Sequence, residues 1–245
     1  MRFRGPQAPV DWQDDLLFVL QQEQDGYEFC QTQMAECDRH LEQCLQQRAD
    51  RSQGASLPVE KRKERRKKKK GNKPQFELRA ALFRMAGTDL TRIDSVDVMT
   101  AMTILSEVGW DMSKWKTEDH FVSWLRLCPD NRISGDKIIG KGRLPTNNRV
   151  TIALKMAAST LRISQTYLGA QFRRLRTKLG SPVAIKATAA KLARLIYLYR
   201  MLRFGMQYVD QGAEFYEAQH RKLQITQLKW KATKLGFRVV EAPAA

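Results

Sequence analysis

The 245-residue chain has no run approaching about 18 apolar residues, so no membrane-spanning helix is expected. Its opening, MRFRGPQAPVDWQDD, has no apolar core, which argues against an export signal. These two absences point to the cytoplasm. Histidine is scarce. His40, His120 and His220 fall in separate candidate helices, and nothing links them to a serine and an acid. A Ser-His-Asp triad is therefore not in view, and each histidine is expected at the surface or in packing. Cysteine is also sparse, at four residues. Cys30, Cys37 and Cys44 repeat every seven residues, about 10.5 Å apart along a helix. Sulfurs sharing one zinc lie about 2.3 Å from it, so these three cannot form one metal site on one helix. They are expected as small apolar residues on a buried stripe. Cys128 stands alone. The carboxylates cluster between residues 11 and 42 on an amphipathic segment, where solvation explains them. No acidic core for a two-metal nuclease is evident.

Positive charge is abundant. Lys and Arg number 43 against 26 Asp and Glu, a net charge of +17 with a pI near 10.0. Charge of that sign and size selects a polyanion as partner. Residues 61–70 (KRKERRKKKK) carry +8, leaving +9 for the rest, so the basicity is not confined to one segment. Such a run is a solvated loop that can also contact phosphates, each one adding about −0.9 to the salt slope on duplex DNA.

The apolar pattern is helical. Tyr27, Cys30, Met34, Cys37, Leu41, Cys44 and Arg48 alternate steps of three and four, and Leu16 and Leu20 extend the seam backwards. That is a coiled-coil seam on one long helix over 12–50. A seam so narrow needs a second helix, from another copy or from the same chain. Residues 51–75, with Gly54, Pro58, Gly71 and Pro74, form a basic loop. A shorter helix over 75–86, ended by Gly87, can return along the first and close a helical hairpin. Composition changes near residue 91. Further helices are expected over 96–108, 117–127, 146–163, 165–179, 181–205 and 212–235, with at most a short strand over 237–241. Thr117 is a candidate N-cap, and Ser181-Pro182 opens a helix. Trp110, Trp115 and Trp124 fall close together and are expected to pack in the core rather than stack on bases. The expected fold is mainly α. A coiled-coil helical hairpin occupies 1–90, and a small all-α domain occupies 91–245.

The segment NRISGDKIIGKGR, residues 131–143, approaches the phosphate-loop pattern GxxxxGK[ST] but has Gly142 where Ser or Thr belongs. A helical segment precedes it and Pro145 follows, whereas a phosphate loop sits between strand and helix. A nucleoside-triphosphate site is not expected. The same loop gathers Lys137, Lys141 and Arg143 around glycines, with one hydroxyl at Ser134. Glycine lets a backbone approach, the cations stabilise an anion, and serine can attack phosphorus if activated. A second basic surface runs along 161–203 and includes Arg173, Arg174, Lys186 and Arg194. It suits nucleic-acid backbone contact.

The stretches DWQDDLLFVLQQE, FELRAALFRMAGTDLTRID, TAMTILSEVGWDMSKW, HFVSWLRLCPDNRISGDK, ATAAKLARLIYLYRMLRFG and YVDQGAEFYE, in this order, carry a resemblance. The chain resembles the C-terminal part of insertion-sequence transposases that join a RuvC-like DEDD domain to a serine-bearing domain, the RNA-bridged recombinases. The resemblance spans about residues 2–241. It implies that Ser134, in Ile133-Ser134-Gly135-Asp136-Lys137 after Leu127-Cys128-Pro129, matches the serine that attacks a DNA phosphate. It also implies a helix-hairpin-helix-like fold for 91–245, DNA as partner, a guide RNA and a nucleoid-associated protein of a prokaryote, while the seam itself predicts a homo-oligomer joined by the coiled coil. The carboxylates and a divalent metal such as Mg belong to the RuvC-like domain, which nothing in this sequence resembles. The expectation is a truncated copy, or one half of a split protein with that domain supplied in trans and no cofactor of its own. Two further departures are Asp136, in place of the motif's second glycine, and Ser95-Val96-Asp97, where the family's hairpin is glycine-rich after Ile-Asp. A non-catalytic, basic coiled-coil nucleic-acid-binding protein is the alternative.

Overall fold

The computed structural model describes residues 12–52, 54–59, 74–109, 111–135, 137–142, 148–201 and 210–240. The basic run 61–70, Trp110, Asp136 and Arg143 lie outside them. The chain is mainly α. Helix α1 (Trp12–Gln46) is followed by α2 (Leu78–Ala86), a 3-10 turn (Leu90–Arg92), α3 (Val98–Val108) and α4 (Glu118–Trp124). Strands β1 (Asp130–Ser134) and β2 (Lys137–Gly142) come next. Helices α5 (Arg149–Thr160), α6 (Tyr167–Leu179), α7 (Ser181–Met201) and α8 (Gly212–Lys234) complete the order. Residues 237–240 form no strand.

The helix starts follow from short polar side chains that satisfy amides left free in a first turn. Thr117 accepts from the His120 amide, as its position before Glu118-Asp119 predicts. Asp97 accepts from Thr100 at α3, Asn148 from Val150 at α5, and Thr166 from Gly169 at α6. Gly87 ends α2 with φ of 69°, a left-handed conformation that glycine adopts without strain. At α7 the start falls one residue earlier than Ser181-Pro182 suggests. The Gly180 carbonyl already accepts from the Ala184 amide.

One apolar cluster runs from Leu45 through α2, α3, α4, α5 and α6 to Tyr197 of α7, across the composition change near residue 91. Helix α7 is its axis, with α4, α5 and α6 packed around it. Ala184, Ala189, Ala190 and Ala193 keep α7 narrow, so neighbouring helices approach closely. Phe121, Leu154, Phe172, Leu192 and Ile196 fill the centre. Fully burying a side chain of this size contributes about 1.5–3 kcal/mol. Trp115 packs edge-on to Phe121 at 5.0 Å and against the core, while Trp124, 5.1 Å from it, stays 45% exposed. Two polar groups in this core are matched: Thr151 donates to the Leu125 carbonyl, and the Tyr197 hydroxyl to that of Trp115, each at 2.8 Å.

Two expectations need correction. The first concerns α1. Cys30, Cys37 and Cys44 are exposed rather than buried within this chain. The side that α2 covers lies near Leu41 and Leu45, at the last turns of α1. Arg84 donates to the Leu45 carbonyl at 3.0 Å, and the Gln75 amide to Asp38 at 3.0 Å. Helix α2 is 9 residues long against 35 for α1, so it cannot cover more. The second concerns residues 130–142, expected as an irregular loop. They pair as an antiparallel hairpin. β-Branched Ile133, Ile138 and Ile139 favour strands, and Gly135 takes φ of 53°, the positive value that tight hairpin turns require.

Candidate nucleic-acid interface and serine hairpin

The hairpin leaves the core directly after α4. That helix closes with the Arg126 amide on Ser123 O and the Leu127 amide on Val122 O. Buried Leu127 and half-buried Cys128 anchor the chain before Pro129. In β1 and β2, Asp130 pairs with Gly142, Asn131 with Lys141, Arg132 with Gly140, Ile133 with Ile138 and Ser134 with Lys137. The register shifts between Arg132 and Ile133, which leaves Ile139 of β2 as the extra residue of a bulge. Ser134 and Lys137 therefore face each other across the last rung before the turn, and both are exposed. Directly opposed residues bring their Cβ atoms to about 4.5–5.5 Å. Lys141 lies inside strand β2. A phosphate loop would start a helix at that lysine, so the nucleotide-loop pattern has no structural counterpart here.

The other expected contacts separate into two places. Arg173 and Arg174 lie side by side on α6. Arg173 donates to the Ser164 carbonyl, and Arg174 opens onto a cleft between α6 and α8. Lys186 and Arg194 lie on α7. The Arg194 guanidinium bonds Asp119 at 2.9 Å and approaches Glu118 at 3.8 Å, so it ties α7 to α4. Lys191 of α7 lies 5.3 Å over the Tyr167 ring. Burial and then the nearby Arg194 cation hold its pKa below the usual lysine range.

The turn between the 3-10 element and α3 lacks glycine, yet it keeps a glycine-like backbone. The Val96 amide donates to the Ile93 carbonyl at 3.1 Å, and Ser95 takes φ of 70°. Asp94 accepts from Ser164 and Thr166, fixing this turn to the start of α6. Gly169 is needed at the same junction, because a Cβ there would collide with the Ser164 carbonyl. Among the described residues, no three His, Cys, Asp or Glu side chains converge as metal ligands.

Sequence reasoning missed the cleft between α6 and α8, which has a volume of about 500 Å³. Arg173, Arg174 and Thr177 line it from α6, and Tyr216, His220 and Arg221 from α8. Each set has helical spacing, a weak signal until the two helices are seen to pack.

A model of the IS116/IS110/IS902 transposase family matches residues 87–173, about a third of the chain. The matched segment runs from the end of α2 to Arg173 of α6 and contains the serine hairpin. It is a transposase-like region and supports a transposase-related role for the chain. No curated protein and no solved structure matches. Among the described residues, no helix is long and apolar enough to cross a membrane.

Proposed function

We propose that the chain binds DNA and acts in insertion-sequence transposition, with Ser134 as the nucleophile toward a DNA phosphodiester. The observation that carries this reading is the placement of Ser134. It lies inside the transposase-like segment, at the exposed tip of a hairpin, opposite Lys137. In the reaction, a bond forms between Ser134 Oγ and phosphorus, and one phosphorus–oxygen ester bond breaks. The serine proton passes to a base, and the departing alkoxide takes up a proton. Lys137 stabilises the negative charge on the phosphoryl oxygens. Lys141 and Arg143 are assigned to the same phosphate. Arg173, Arg174 and Lys186 hold DNA further along, and Arg194 shares that surface.

Serine is a weak nucleophile without activation. No histidine lies in the hairpin sequence, and the resemblance to DEDD/serine transposases assigns activation to a carboxylate-bearing, RuvC-like domain with its divalent metal. A guide RNA completes the assembly by selecting the target. A second copy joins through α1, whose Leu16, Leu17, Phe18, Val19 and Leu20 are all more than half exposed. Apolar residues all round a helix ordinarily mark one that is covered.

The test combines the purified chain, DNA and Mg²⁺, with and without a RuvC-like domain. A protein–DNA adduct stable to denaturing electrophoresis is expected only with that domain, and is expected to vanish in Ser134→Ala. An adduct that persists in Ser134→Ala would falsify the assignment of the nucleophile. Salt-dependent DNA binding with no adduct under any condition would favour the non-catalytic coiled-coil reading.

A further inference from the structure

The cleft between α6 and α8 is built from two facing stripes. Arg173 and Arg174 come from α6, and Tyr216, Glu217, His220 and Arg221 from α8. Three guanidiniums thus meet one carboxylate. Among the described residues, neither Arg174 nor Arg221 forms an ion pair. Aromatic rings run along the same wall. Tyr167 meets Tyr216 edge to face at 4.9 Å, and Tyr216 and His220 lie 6.3 Å apart and nearly parallel, at 22°. The pairing is rigid at its base, because the Tyr167 amide donates to Asp210 just before α8.

We infer that this cleft binds an unpaired nucleotide of a nucleic-acid strand, with its phosphate on Arg174 and Arg221 and its base against the Tyr216–His220 rings. Cations alone would serve any anion. Aromatic faces beside them select a ligand with a flat π surface next to its phosphate. Bases within a duplex keep their faces in the stack, so only an unpaired or extruded base can meet these rings. A volume of about 500 Å³ suits one nucleotide and lies within the range of small-molecule sites. Arg174 sits close enough to Tyr216 to oppose the rise that burial imposes on the phenol's pKa, which places cation and ring at one site. Arg173 braces the wall through the Ser164 carbonyl. The inference shares with the proposed function the premise of a nucleic-acid partner. It does not depend on chemistry at Ser134.

The test is fluorescence anisotropy of the full chain with labelled oligo(dT) and oligo(U) of about 12 nucleotides, and with a duplex of equal length. Tyr216→Leu is expected to weaken single-strand binding about tenfold, while Tyr216→Phe retains it, since the ring and not the hydroxyl stacks. Duplex binding is expected to stay unchanged in both. Arg174→Gln and Arg221→Gln are each expected to reduce the single-strand salt slope by about 0.7. Lys116→Gln, an equal charge change at an exposed position outside the cleft, is expected to leave the slope as it is. Either oligomer showing this pattern supports the site. The inference is overturned if Tyr216→Leu and Tyr216→Phe behave alike. It is equally overturned if duplex and single strand weaken together, or if the arginine variants match Lys116→Gln. Failure of the serine chemistry is read separately, as loss of the covalent adduct with this binding pattern intact.

Discussion

Helix α1 and the helices around α7 use the same kinds of side chain to opposite ends. Phe121 is 1% exposed and touches Trp115, Trp124 and Tyr197. Phe18 on α1 is 64% exposed. Helix α1 is about 52 Å long at 1.5 Å per residue, and α2 covers only its last turns. An isolated helix draws little stability from propensity alone, so most of a helix's stability in a protein comes from packing. The contrast teaches that stability in this molecule resides around α7. The amino-terminal turns of α1 leave apolar surface exposed, the reserve that the proposed self-association would cover.

Five variants would break or sharpen this contrast. The largest effect is expected for Phe121→Ala, which should lose about 3–5 kcal/mol in urea unfolding followed by tryptophan fluorescence. Phe18→Ala under the same measurement should change stability by less than about 0.5 kcal/mol. Similar losses for the two would end the distinction. Next comes Arg79→Ala. Arg79 bonds buried Asp89 at 2.5 Å and also reaches the Pro58 carbonyl and the Thr91 hydroxyl. Removing it strands a carboxylate that is 3% exposed, so a loss of about 3 kcal/mol is expected from chemical denaturation. Ser95→Gly should act in the other direction. It relieves a left-handed backbone and removes a buried hydroxyl that has no partner, for a gain of about 1 kcal/mol in thermal unfolding. A neutral or negative result would mean that the serine is held by something other than local conformation. The smallest effect on stability belongs to the double variant Leu16→Asp with Leu20→Asp. Unfolding of the single chain should be unchanged within about 0.5 kcal/mol, while sedimentation should report loss of self-association. A wild-type chain that sediments as a monomer at all concentrations would remove the reserve-surface interpretation.

Much of the helical order was legible because it rests on local chemistry. Thr117 before Glu118-Asp119 and Gly87 after Ala86 mark helix ends through single hydrogen bonds and one backbone angle. The seam of α1 was legible as a helix but not as a burial pattern. Cys44 and Leu45 are adjacent, and only the path of α2 decides which of them is covered. The hairpin was obscured by Gly135 and Gly140, which weaken the strand pattern even though Ile133, Ile138 and Ile139 support it. The glycine-free turn at Ser95 could not be read from composition, because the surrounding contacts of Asp94 with Ser164 and Thr166 hold it in place. The α6–α8 cleft joins residues 39 or more positions apart in the chain, Thr177 and Tyr216 being the nearest pair across it.

The bulge at Ile139 has a consequence for how the serine hairpin tolerates change. The two strands differ in length by one residue between their paired ends, Asp130 to Ser134 against Lys137 to Gly142. An odd residue must be housed somewhere. Housed at the tip, it would widen the turn and separate Ser134 from Lys137. Housed in the stem, it leaves the closing rung intact. The stem thus acts as a tolerance joint, and insertions or deletions around Ile139 can be absorbed there without moving Ser134 and Lys137 apart.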